Sequence, residues 1–262
     1  MIAHKLRHRL LTNWIRNRPH DQSNRVSATA QIDANTTIHR TARIGRLTVI
    51  EKQVTVGKDA SIGAMSSIGQ GTSIGENVSI MGGVKIGTDC SLMENAKIWR
   101  QVIIGKRTTF MEGSRAGFLA AVSDNVTVHQ HVWIGSYTKV EKRAIINEST
   151  IVGSGVIIGT NAHIGARVRI GKGTIVERDT TIGDGTVILD DVRIGQHVVI
   201  GDNAHIGQRA LIAVRSKIRS GTIVPDKSII TERSNGGQDE PTGYDMERDS
   251  GTGSNTTSNE YS

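Results

Sequence analysis

The residues best suited to chemistry crowd into the middle of this 262-residue chain. His129 and His131 stand two apart, and Asn147 follows His129 by 18 residues. An imidazole ordinarily titrates nearest neutrality, so it suits a general base. A carboxamide beside it can fix its tautomer or hold a substrate oxygen. Met93 and Met111 precede His129 at the same spacing of 18, and Trp99 and Trp133 lie nearby. These four are expected to wall a substrate pocket. Arg167, Arg169 and Lys172, followed by Arg178 and Arg193, form a basic cluster suited to a phosphorylated cofactor. Blander roles compete with each of these. His and Asn are common turn formers, and a run of cations also serves as a solvated face. Cys90 is the single cysteine, so neither a disulfide framework nor a thiolate metal site is expected.

A six-residue beat positions these side chains. From Ile32 to Ile230 every sixth residue is large and apolar, 34 positions with no insertion, and Ala116 is the one small exception. Two residues before each beat stands a small or β-branched residue, such as Ala42, Thr48, Val54 or Cys90. Alternate residues of a strand point the same way, so both sets face one interior. The residue after the beat is Gly at 17 of the 34 positions. There it is expected to supply a positive φ at a tight corner. If three beats close one coil, as the resemblance given next implies, residues 18 apart stack along one edge. One edge then carries Met93, Met111, His129 and Asn147 in place of Gly, and the next carries Met81 and Trp99.

This pattern resembles the hexapeptide-repeat proteins. The resemblance implies an all-β fold, a left-handed parallel β-helix of about eleven coils, triangular in section, with three hexapeptides per coil. At roughly 4.8 Å per coil the prism would be about 50 Å long. The stretch Val132–Ile158, beginning Val-Trp-Ile-Gly-Ser, is similar to a segment of the acetyl- and acyltransferases of this fold. Many of those modify sugars or polysaccharide precursors. The resemblance implies that His129 takes a proton from an acceptor hydroxyl or amine. The freed nucleophile would then attack the thioester of acetyl-CoA or another acyl-CoA. Asn147 or its neighbour would offer a backbone N–H to the oxyanion. Residues 110–128 stay in phase, which favours the loopless members, whose His sits on a coil. The family's sites lie between subunits of a homotrimer.

Two alternatives stand beside this reading. One is a non-catalytic β-helix scaffold. The other is a γ-type carbonic anhydrase, which Asn95–Trp99 and Ile104–Gly113 faintly resemble. No bound metal is expected, because His163 is about two coils from His129, too far to share a zinc. An outward row of Ile103, Ala121, Ile157, Ile175, Leu211 and Ile229 suggests a self-partner.

The ends differ from the repeat. Residues 1–25 read as an amphipathic basic helix and linker, with Ile2, Leu6, Leu10 and Trp14 at i, i+4 spacing. Such a helix would cap the stack or touch an anionic membrane. Residues 26–233 are the β-helix. Residues 234–262 are an acidic tail, expected to be disordered. The tail holds six acids and one Arg, net −5, so the rest carries +7 − (−5) = +12. Aromatic residues make up 3% of the chain, too few for a base-stacking surface, so nucleic acid is not an expected partner. With no signal peptide or spanning segment evident, a cytoplasmic address is expected.

Overall fold

The computed structural model describes residues 25–231. The expected N-terminal helix and acidic tail lie outside the described residues. Within them the chain is a parallel β-solenoid of about eleven turns, and each beat closes a two-residue strand. Face 1 runs from β1 (Gln31–Ile32) to β34 (Ile229–Ile230) and holds 12 strands. Face 2 runs from β2 (Thr37–Ile38) to β32 (Lys217–Ile218), and face 3 from β3 (Arg43–Ile44) to β33 (Ile223–Val224), with 11 strands each. Each strand pairs with the one a full coil later, so Gln31 meets Val49 and Ile32 meets Ile50. That register of 18 holds through the last pair, Leu211 with Ile229.

The beat residues fill the interior, with Ile50, Ile62, Ile68, Ile98, Ile134 and Ile158 fully buried. Each such side chain contributes about 1.5–3 kcal/mol. Phe110 and Ala116 are successive beats, and both are completely buried. They point into one interior from adjoining faces, so a large ring beside a small methyl suits the close packing of the coil. The small set two residues earlier also ties coils together. Thr48 Oγ1 donates to Gly63 O at 3.0 Å, Thr150 Oγ1 to Gly165 O at 2.7 Å, and Thr180 Oγ1 to Gly195 O at 3.0 Å. Cys90 Sγ donates to Gly105 O at 2.9 Å in the same way. Burial pushes its thiol up, so it stays protonated as part of the core.

The corners work differently from the sequence expectation. Positive φ falls three residues after the beat, at 25 non-Gly residues and seven Gly. Asn, Asp and Arg are the commonest types among the non-Gly ones. Gly directly after the beat serves another purpose: it lets the next coil approach. A Cβ on Gly45 would come within 2.5 Å of Ala64 N, and one on Gly183 within 2.6 Å of Gly201 C. Real carbon atoms do not tolerate backbone that close.

Candidate active site

Three outward rows frame the site. Call the edge between faces 2 and 3 the 2–3 edge, and that between faces 3 and 1 the 3–1 edge. Met93, Met111, His129 and Asn147 follow β11 (Ser91–Leu92), β14 (Thr109–Phe110), β17 (Thr127–Val128) and β20 (Ile145–Ile146). They stack along the 2–3 edge, because register fixes them one coil apart. Met93 is exposed, and the other three are half-buried. Their Cβ atoms occupy the position where Gly165, Gly183 and Gly201 continue the same edge upward. The side chains therefore leave the prism rather than bridge its coils.

His129 uses its backbone N–H in the ladder, donating to Ile146 O at 2.9 Å. Its imidazole has no hydrogen-bond partner among the described residues. Both ring nitrogens can therefore meet a substrate. His131 sits two residues on, in the left-handed corner conformation with φ 57°. Its ring lies over Gly113 of the coil before, where a Cβ would meet Nδ1 at 2.6 Å. The one residue at this corner that carries no side chain thus makes the room for His131.

Asn147 stands one coil above His129, but its carboxamide turns the other way. Nδ2 lies 3.1 Å from Nε2 of His163, the outward residue of β23 (His163–Ile164) on face 2. The expected pairing of Asn147 with His129 is thus replaced by one with His163. Sequence reasoning weighed His163 only as a zinc partner of His129 and missed its pairing with Asn147, because it compared residues 18 apart, whereas this contact spans 16. The Asn147 backbone N–H is also committed, donating to Ile164 O at 2.9 Å. It cannot serve an oxyanion without breaking the ladder. Its neighbour Glu148 has a backbone N–H outside the ladder, and no acceptor meets it among the described residues. Higher on this edge the equivalent amides are capped: Asp184 Oδ1 accepts from Ala166 N and Asp202 Oδ1 from Asp184 N, both at 2.8 Å.

Face 3 presents Lys97, Arg115, Trp133, Ile151 and Arg169 outward in register. The Arg115 guanidinium carbon lies 5.9 Å from the centre of a Trp133 ring, a cation–π contact. Trp133 therefore borders the His129 edge from the face. Trp99 does not. It lies on the 3–1 edge, six residues of near-extended chain from Met93, so it belongs to a different surface from the methionines. The basic residues span face 3 above Trp133. Arg167 Nη2 is 3.8 Å from Asp184 Oδ2, and Lys172 Nζ is 3.6 Å from Asp190 Oδ2. These exposed pairs contribute little and yield readily to a better anion. Arg169 is exposed between them.

The remaining carboxylates are mostly structural. Glu141 is held below the usual carboxylate range, first by its hydrogen bond with Lys139 at 2.7 Å and also by Thr160 Oγ1 at 3.0 Å. A shallow groove opens on the 1–2 edge, where Gly159 leaves a notch between Glu141 and Glu177. It lies on a different edge from His129 and His131. Among the described residues no three His, Cys, Asp or Glu side chains converge as a metal ion would require.

Comparison with known proteins returns the repeat. The model "Bacterial transferase hexapeptide (six repeats)" matches residues 65–98 and 179–213, and "Hexapeptide repeat of succinyl-transferase" matches residues 155–190. No curated protein matches the chain in sequence. Among solved structures, the chain is similar to a UDP-N-acetylglucosamine O-acyltransferase from Moraxella catarrhalis. Identity is 22%, with 72% of this chain and 68% of that one covered and a TM-score of 0.39. A UDP-N-acetylglucosamine acyltransferase from Arabidopsis aligns at 16% identity, 76% and 70% coverage and a TM-score of 0.41. A perosamine N-acetyltransferase mutant from Caulobacter crescentus, solved with CoA and GDP-perosamine, aligns at 17% identity, 57% and 54% coverage and a TM-score of 0.21. The repeat that these models describe thus lies in residues 65–98 and 155–213, within coils of three strands each.

Proposed function

We propose that the chain is an acyltransferase that moves an acyl group, most simply acetyl from acetyl-CoA, to a hydroxyl or amine of a sugar or polysaccharide precursor. The observation that carries this reading is the 2–3 edge. Along it four consecutive corners give up the packing Gly, and a free imidazole stands among them. His129 is the base, with Met93 and Met111 beside it and Trp133 on the adjoining face. His131 lines the same corner. Asn147, held by His163, presents the polar wall above, and the Glu148 N–H is the free oxyanion donor. Arg167, Arg169 and Lys172 run across face 3 from one edge to the other, where the phosphates of CoA would meet them. The repeat models that match the chain carry transferase and succinyl-transferase in their descriptions, which supports the reaction class. A homotrimer would enclose this open edge against a second prism.

In this reaction His129 accepts the acceptor's proton as its oxygen or nitrogen bonds to the thioester carbon. The C–S bond then breaks, and the sulfur leaves with a proton as free CoA. Positioned general-base catalysis of this kind contributes about 10²–10⁴-fold. His129→Ala should therefore lower kcat by at least about 100-fold while leaving acetyl-CoA affinity intact. Full activity in that variant would remove the assignment.

A scaffold role is the second reading, favoured by the exposed Ile103, Ile157, Leu211 and Ile229 of face 1. Calorimetry with acetyl-CoA separates the two, since a scaffold should take up no heat of binding.

A further inference from the structure

The 3–1 edge carries a feature that acyl transfer does not use. Corner residues in the left-handed conformation are mostly Asn, Asp, Gly or charged. Among the rest, Gln, His and Ser are still polar, and four are bulky apolar or aromatic residues: Leu47, Met65, Leu119 and Tyr137, with φ between 55° and 59°. All four fall on the 3–1 edge. Their side chains are 56%, 67%, 41% and 61% exposed. Bulky residues gain nothing for the turn there, since Asn or Gly would make it with less strain. Strain combined with exposure points to a surface kept for contact.

The same edge adds Met81 and Trp99, both exposed. Phe118 packs its ring against Tyr137, edge to face, with centres 5.5 Å apart. From Leu47 to Tyr137 is five coil rises, about 24 Å, in a straight line. Acids are absent from the corner segments 45–49, 63–67, 81–85, 99–103, 117–121 and 135–139. Those segments carry Arg46, Lys85, Arg100 and Lys139 instead. Acids return on the same edge only three coils on, at Asp190 and Asp191.

We propose that this edge docks the protein onto an anionic lipid bilayer. The edge is a convex, straight ridge, and small molecules want concave sites. A flat fluid surface accepts such a ridge along its whole length. Apolar and aromatic tips enter the boundary between headgroups and acyl chains, and the flanking cations meet anionic headgroups. Tyr and Trp are side chains suited to that boundary. The inference stands apart from the proposed reaction, because none of the ridge residues is placed on the His129 edge. It also uses a different part of the chain from residues 1–25.

The test uses the full-length protein and sedimentation with vesicles of phosphatidylcholine, with or without 30 mol% phosphatidylglycerol as a working composition of about that value. Wild type should bind the anionic vesicles and bind neutral ones at least about tenfold more weakly. The combined variant Leu47→Asn, Met65→Asn, Leu119→Asn and Tyr137→Asn should lose anionic-vesicle affinity at least about tenfold. It should keep or raise the melting temperature, because Asn suits these corners. Such a result could not come from misfolding. Unchanged binding in the variant would assign the affinity to residues 1–25 or to general charge and overturn the proposal. Failure of wild type to bind would do the same. A change of oligomeric state in the variant, without vesicle binding by wild type, would make the ridge a contact between copies and also overturn it.

Discussion

The 2–3 edge divides into two regions that share a backbone and differ in chemistry. In the upper coils Gly165, Gly183 and Gly201 let each coil settle on the next. Side chains one coil on cap the amides, with Asp184 and Asp202 accepting at 2.8 Å and Ser220 at 3.1 Å. In the middle coils the same positions hold Met93, Met111, His129 and Asn147, and the equivalent amide of Glu148 has no such cap. The upper region spends its corner positions on cohesion between coils. The middle region gives up that cohesion and gains side chains that reach outward. A repeat protein can make this exchange locally, because each coil depends mainly on its neighbours.

The largest test of this contrast is beneath the middle corners. Phe110→Ala should cost about 3–5 kcal/mol, because Ala116 beside it cannot fill the cavity. Hydrogen exchange should rise in residues 92–128 and stay low in residues 165–207. A uniform rise would show that the two regions are not separable. Next comes the corner itself. Gly183→Val should cost about 1–3 kcal/mol, as its side chain meets the backbone of Gly201 and Asp202. His129→Gly at the matching corner should change the melting temperature little while removing activity. Equal losses of stability would erase the distinction.

Smaller effects sharpen it. Thr180→Ala removes the hydroxyl that donates to Gly195 O and should cost about 1 kcal/mol. Ser216 occupies the same kind of position, but its buried Oγ finds no partner among the described residues. Its acceptor would be residue 231, at the end of the described chain. Ser216→Ala should therefore be neutral or slightly stabilising in thermal unfolding. The smallest effect is electrostatic. The folded pKa of Glu141 is depressed, so its contribution is present above the unfolded carboxylate value and lost as pH falls through the lower folded one. The pair with Lys139 is partly exposed, so the loss should be below about 1 kcal/mol. Glu141→Gln should flatten that part of the stability curve below about pH 4.5; an unchanged acid limb would dismiss the pair.

Much of this was legible from spacing. The beat at Ile32, Ile38 and Ile44 onward implied short strands and corners, and the resemblance to hexapeptide-repeat proteins implied three faces and the stacking of residues 18 apart. That stacking placed Met93, Met111, His129 and Asn147 on one edge. The corner reading was half right: a Gly was needed after the beat, but for the approach of the next coil rather than for its own φ. That distinction is invisible in one hexapeptide, since it arises only when another coil lies above. Trp99 was read as a pocket wall because it stands at a similar height to Met93, although on the next edge. Six residues of extended chain carry it across face 3 to another edge.

By itself, then, the sequence determined the period and the inward and outward sets, and, once the resemblance supplied three beats per coil, the vertical neighbours of every corner. Those follow from a fixed 18-residue register, which a count can reproduce. Only the tertiary structure decided the diagonal and conformational facts. It turned the amide of Asn147 towards His163, laid the His131 ring over Gly113, and gave Leu47, Met65, Leu119 and Tyr137, which the register already aligns, their left-handed and exposed conformation. Such facts depend on rotamers and backbone angles, which no periodicity in the chain encodes.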